Sequence, residues 1–213
     1  MNRKYEFTGE TKNWIGRTLH RIRAVRDFGD VKAGDLGGWI EKESNLSHDG
    51  DAWVRCNVKV CDSAVVCGSV VICDSAVVRD SAVVRDSAVV CDSVVVCDSA
   101  VVGGSAVVGG SVLVSGDARV EKTNHILTIS PIGSRNDVVC FMRAKDEKII
   151  VAVGCFKGTI DEFERKVKET HGDNEHGKAY RIAIELAKLR IDLDKEADDD
   201  TETGEEEKED GCF

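Results

Sequence analysis

The pattern of apolar and polar residues is regular only in the middle of the chain. From Cys61 it reads CDSAVV CGSVVI CDSAVV RDSAVV RDSAVV CDSVVV CDSAVV GGSAVV GGSVLV. Weaker copies flank it, DGDAWV and RCNVKV before and SGDARV after, so Asp49–Val120 holds twelve hexads. Each hexad opens with two turn residues, such as Asp62-Ser63, which suit a tight corner, and continues as a short strand whose side chains alternate sides. Small residues (Ala64, Val70, Ala76, Ala82, Ala88, Val94) and the aliphatics two places on (Val66, Ile72, Val78, Val84, Val90, Val96) are predicted to point inward. The residue between them points outward. The end hexads fix this register, because Lys59 and Arg119 occupy the intermediate column and a narrow core would not take either charge.

Three hexads close one three-sided coil, so the twelve predict four turns of a left-handed parallel β-helix. Each buried Val or Ile contributes about 1.5–3 kcal/mol before entropy is counted. Stacked coils satisfy one another's backbone groups, and the two open ends need caps.

Residues 1–48 are expected to form an N-terminal cap. It would hold a strand over Thr18–Val25, a turn at Phe28-Gly29-Asp30 and an irregular first coil with Leu36, Ile40 and Leu46 inside. Arg17, Arg21, Arg23 and Arg26 read as solvated strand charges, with an anion-binding patch as the other option. After residue 121 the hexads stop. Strand-like runs follow at His125–Ile129, Val138–Met142 and Ile149–Val153, the last two joined by a turn at Lys145-Asp146-Glu147. Thr159-Ile160-Asp161-Glu162 is a capping box that opens a helix with Ile160, Phe163 and Val167 on one face. A second helix spans Glu175–Leu193. The fold class is thus mainly β: a β-helix over 49–121, an N-terminal β cap, and a small α+β domain over 122–193 with three strands, two helices and a core of its own.

Twelve of the 39 acids but two of the 29 bases fall between Asp192 and Asp210, so the rest of the chain is formally neutral. Residues 194–213 therefore read as a disordered acidic tail. A neutral body argues against nucleic-acid coating. The N-terminus MNRKYEFTGE has no apolar run of signal-peptide type, and no segment is apolar enough to span a membrane. The nine cysteines are odd in number and six lie in the repeats, which favours a reduced, cytoplasmic protein over a disulfide scaffold.

The hexads resemble those of the hexapeptide-repeat superfamily, which includes acyltransferases and γ-class carbonic anhydrases. The segment GDLGGWIEKESNLSHDGDAWV, followed by hexads, is also similar to uncharacterised hexapeptide proteins of bacteria and phages, some labelled transferases. The resemblance implies the fold. For activity it implies a histidine general base near a subunit interface, often on a loop that interrupts the hexads, or three histidines holding a metal. Neither pattern is present: no histidine and no long loop lie in Asp49–Val120. His48 and His125 remain as flanking bases.

No catalytic residue, metal or cofactor is assigned. Cys73 and Cys91 should stack in adjacent coils, as should Asp62, Asp80 and Asp98 at one corner, where a cation ladder competes with solvated corner acids. The preferred ligand candidate is an anion, such as a small phosphorylated molecule, at Gly154–Thr159. Lys157, Gly158 and Thr159 precede a helix there, and Ser134 and Arg135 come from a neighbouring loop. A plain glycine turn and helix cap is the competing reading. Cys155 and His171 would form a catalytic pair only if folding brings them together.

The outward column Val65, Val71, Val77, Val83, Val89, Val95, Val101, Val107 and Leu113 is expected to be a self-association surface, most simply of a trimer. The sequence thus favours a non-catalytic oligomeric binding or scaffold protein. A hexapeptide-type acyltransferase and a phage-borne ligand-sequestering protein are the alternatives.

Overall fold

A computed structural model describes residues 3–193; the acidic segment 194–213 lies outside the described residues. Twelve two-residue strands, β4 (Trp53–Val54) to β15 (Arg119–Val120), recur every six residues. Each pairs in parallel with the strand eighteen residues away, as Val71 with Val89 and Val83 with Val101. Three parallel sheets enclose the core of this β-solenoid. Ala64, Val66, Ala76, Val78, Ala88 and Val90 are fully buried, in the register expected from Lys59 and Arg119.

The corners explain the restriction to Asp or Gly. Asp62, Asp74, Asp80, Asp86, Asp92 and Asp98 have φ near +60°, where only Gly, Asn and Asp are tolerated at low cost. Each carboxylate that has a corner above it accepts that corner's backbone N–H. Asp74 Oδ2 takes Asp92 N at 3.1 Å, Asp92 Oδ2 takes Gly110 N at 2.6 Å and Asp98 Oδ2 takes Gly116 N at 3.0 Å. The last coil has glycine at all three corners, Gly104, Gly110 and Gly116.

The N-terminal segment adds a fifth coil. β1 (Tyr5–Trp14) and β2 (Arg17–Ala24) form a hairpin, and β2 pairs with β3 (Leu36–Ile40), which joins the solenoid beside β5 (Lys59–Val60). Ile40 aligns with Val60 and Leu46 with Val66, twenty residues away rather than eighteen. The two extra residues fall in the corner that carries His48. Ile40 and Leu46 are inside as expected, whereas Leu36 is 49% exposed. Leu36 lies at the start of β3, paired with Arg23 of the hairpin, before the chain reaches the solenoid wall. The N-terminal segment covers one outward position: Trp53, in the outward column, is buried, with Phe28 of the β2–β3 connection edge-on at 5.4 Å and Tyr5 of the hairpin at 6.5 Å.

At this end four carbonyls, of Gly50, Ala52, Asp62 and Ala64, face side chains where a regular coil would present backbone amides. Two fully buried polar side chains serve them. Lys4 Nζ donates to Gly50 O and Ala52 O at 3.3 and 2.9 Å, and Asn45 Nδ2 donates to Asp62 O and Ala64 O at 3.2 and 2.9 Å. The N-terminal end of the solenoid is thereby closed to edge pairing.

The C-terminal domain has four antiparallel strands in sequence order: β16 (Ile126–Ile132), β17 (Asp137–Ala144), β18 (Lys148–Val153) and β19 (Phe156–Thr159). The fourth was not expected, since Phe156–Thr159 reads in sequence as loop. Helices α1 (Ile160–His171) and α2 (Glu175–Arg190) cover one face. Alternation along β17 divides its side chains: Val139 and Phe141 join the helices, while Cys140 and Met142 join the solenoid core. The domain has its own core and also closes the far end of the solenoid, through the bridge Ala118–Ala144 and the bond from Lys145 N to Asp117 O at 3.0 Å. Among the described residues no helix is long and apolar enough to cross a membrane.

Candidate functional site

The flanking histidines are committed to backbone. His48 Nδ1 accepts Lys4 N at 3.3 Å and its ring stacks on Tyr5 with centroids 4.3 Å apart. His125 is buried and its Nδ1 accepts Glu121 N at 3.2 Å. Burial holds both imidazoles below the usual histidine range. With Nδ1 used as an acceptor, the proton of each neutral ring sits on Nε2. Neither ring then offers a free lone pair to deprotonate an acceptor.

The acidic corner is already served by cations. Ligand atoms of Asp80, Cys97 and Asp98 lie within 4.8 Å of one another. Arg79 Nη1 is 2.6 Å from Asp80 Oδ2, however, and Lys157 Nζ is 3.3 Å from Asp98 Oδ2. Cys73 and Cys91 sit in adjacent coils, as expected, with Cys73 N donating to Val90 O at 3.0 Å and the Cys91 thiol to Val108 O at 3.7 Å. The N-terminal arginines are dispersed rather than gathered: Arg17 pairs with Glu41 and Asp62, Arg23 with Glu6, and Arg21 lies over the Trp39 ring.

The five anion candidates divide into two groups. Antiparallel order puts the β16–β17 and β18–β19 turns at one end of the sheet, and the start of α1 at the other. Ser134 and Arg135 belong to the first turn, and Lys157, Gly158 and Thr159 run away from it along β19. At the helix start Thr159 and Glu162 form the capping box read from sequence: Thr159 N donates to Glu162 Oε2 at 2.8 Å and Glu162 N to Thr159 Oγ1 at 3.3 Å. The helix thus brings its own carboxylate to its N-terminus, and those backbone bonds hold Glu162 below the usual carboxylate range. Lys157, Gly158 and Thr159 line a cleft of about 390 Å³ between the last coil and the sheet, together with Gly116, Asp117 and Lys148.

Arg135 lines a different cavity, of about 200 Å³, at the turn end of the sheet. Here the fold does bring Cys155 and His171 to one place, with Lys166 and Tyr180. Sequence reasoning weighed Cys155 with His171 but missed Lys166 and Tyr180, which read as ordinary helix positions.

No protein-family model matches the chain. It is 42% identical over 50 residues, 24% of its length, to YdcK of Escherichia coli (strain K12), described as an uncharacterised acetyltransferase. Those residues span 14% of that relative. The six-residue strand spacing and the stacked coils are those of a hexapeptide-repeat solenoid.

Proposed function

We propose that the chain is a non-catalytic, self-associating binding protein. The solenoid assembles subunits, in threes by analogy with the superfamily, and the C-terminal domain presents a site for a partner or a small anionic ligand. One observation carries the reading: twelve unbroken hexads contain no histidine, and the two histidines beside them are used to cap backbone amides. The outward valines support self-association, since Val65 and Val107 are exposed at 37% and 52% in the single chain. A reduced, cytoplasmic setting fits the free thiols in the described chain.

The second reading, a hexapeptide-type acyltransferase, is favoured by the match to YdcK. A phage-borne ligand-sequestering role rests on the resemblance of the N-terminal segment alone. Acetyl-CoA consumption against a broad acceptor panel separates these readings, with native mass spectrometry for subunit number and retained small molecules. No turnover and an oligomeric mass are expected. Turnover abolished by His48→Ala or His125→Ala would overturn the non-catalytic reading.

A further inference from the structure

We infer that the cavity at the turn end of the C-terminal sheet is a binding site for a small anion with an apolar body, an aryl phosphate or aryl carboxylate, held by Arg135 and Tyr180. The inference deepens the ligand-binding half of the function proposed above and is independent of the solenoid's role in assembly.

The lining has the chemistry for it. Arg135, Lys166, His171, Cys155 and Tyr180 line the cavity, and no carboxylate is among its lining residues. Lys166 is shared with Glu169, 3.8 Å away on the same exposed helix face, whereas Arg135 makes no ion pair among the described residues. The wall behind is apolar, with Phe156 and Phe163 rings 5.2 Å apart. A guanidinium with open donors beside an aromatic wall selects an anionic head on an apolar body. The volume is below that of a drug-sized pocket, so the ligand is of metabolite size.

Two glycines make room for the polar groups. A Cβ on Gly154 would lie 2.5 Å from Arg135 Nη2, and a Cβ on Gly133 would collide with the Tyr180 hydroxyl. Both glycines have positive φ, +55° and +72°. The turns therefore let the guanidinium and the phenol lie close against the backbone. Asp137 is the nearby acid, its carboxylate beside Gly154 as the Arg135 guanidinium is; burial, and then this charge, raise the Tyr180 pKa, so the phenol stays protonated as a donor. The sequence joins Arg135 and Lys157 in one anion site; in the fold, alternation along β19 turns Lys157 to the solenoid face, onto Asp98, away from Arg135.

The test is calorimetric titration of the full chain with phenyl phosphate, inorganic phosphate and phenol. Alkylation of Cys155 and of the exposed Cys56 by iodoacetamide is followed by peptide mass spectrometry in parallel. Phenyl phosphate is expected to bind saturably, more tightly than either half alone, and to slow alkylation at Cys155 but not at Cys56. Arg135→Ala, an exposed position whose loss leaves the core intact, should weaken binding about tenfold; Tyr180→Phe, which keeps the ring, should weaken it several-fold. The inference is overturned if phenyl phosphate does not bind, if Cys155 is unprotected, or if Arg135→Ala binds like the wild type. Binding that is lost on Lys157→Ala and not on Arg135→Ala would also overturn it, while leaving the chain an anion binder on the solenoid side of the sheet.

Discussion

The Lys4 ammonium donates to the carbonyl of Ala52 at 2.9 Å, from a side chain with no solvent exposure. It stands where the next coil's amides would be if the solenoid continued. Burial pulls its pKa down to about 8 from 10.5, so the charge is held at a cost that the carbonyls of Gly50 and Ala52 offset only in part. Lys4→Met leaves those carbonyls without the donor and should destabilise the fold by about 1–3 kcal/mol at pH 7.

The same residue has a pH signature. Between pH 8 and 10.5 the unfolded chain keeps a proton on Lys4 that the folded chain has released, so stability rises with pH in that window. The difference in unfolding free energy between wild type and Lys4→Met, from urea denaturation, should widen by about 2 kcal/mol from pH 8 to 10. A constant or shrinking difference would mean that the buried amine is not titrating there.

Thiols act in the opposite sense above pH 9. Burial pushes Cys61 and Cys140 up to about 12 from 9.0. A group whose folded pKa is raised gives stability that is complete below its unfolded pKa and is lost as pH rises toward the folded value. Each buried thiol should therefore cost about 2 kcal/mol of stability between pH 8 and 10.5. Cys61→Ala and Cys140→Ala should each flatten the alkaline slope, whatever they do to stability at pH 7. An unchanged slope would show that these thiols ionise without unfolding.

The corner ladder gives a graded series at Asp92. Asp92→Ala loses the bond to Gly110 N and leaves a Cβ residue at φ +60°, a combined cost of about 1–3 kcal/mol. Asp92→Gly loses only the bond and should fall between alanine and wild type in denaturant midpoint. Alanine as stable as glycine would mean the corner is not held in its left-handed conformation.

The outward valines predict association. Val83, Val89 and Val95 lie on the three different sheets. Val83→Lys, Val89→Lys and Val95→Lys each place one charge on one face, and light scattering should show the assembly breaking down for at least one of them. A wild-type chain that is monomeric at micromolar concentration sinks the idea, and the valines then serve strand propensity alone.

The solenoid was legible because its period is local. Inward Ala76 and Val78, outward Val77 and the corner Asp74 all lie within one hexad, and Lys59 and Arg119 settle the register by charge. The Thr159–Glu162 capping box was legible for the same reason. What tertiary structure alone decided depends on residues far apart in the chain. Lys4 gives no sign in sequence that its ammonium will serve carbonyls 46 and 48 residues away. β1 hides because Thr8-Gly9-Glu10-Thr11-Lys12-Asn13 lacks an apolar alternation; it is held by pairing with β2. Phe156–Thr159 is too short and glycine-bearing to read as a strand, yet the exposed edge of β18 takes it up. That one pairing separates Lys157 from Arg135 and leaves Arg135 beside His171 and Tyr180, because side chains alternate along a strand: Phe156 turns to the helices, and Lys157 turns to the solenoid, where it meets Asp98.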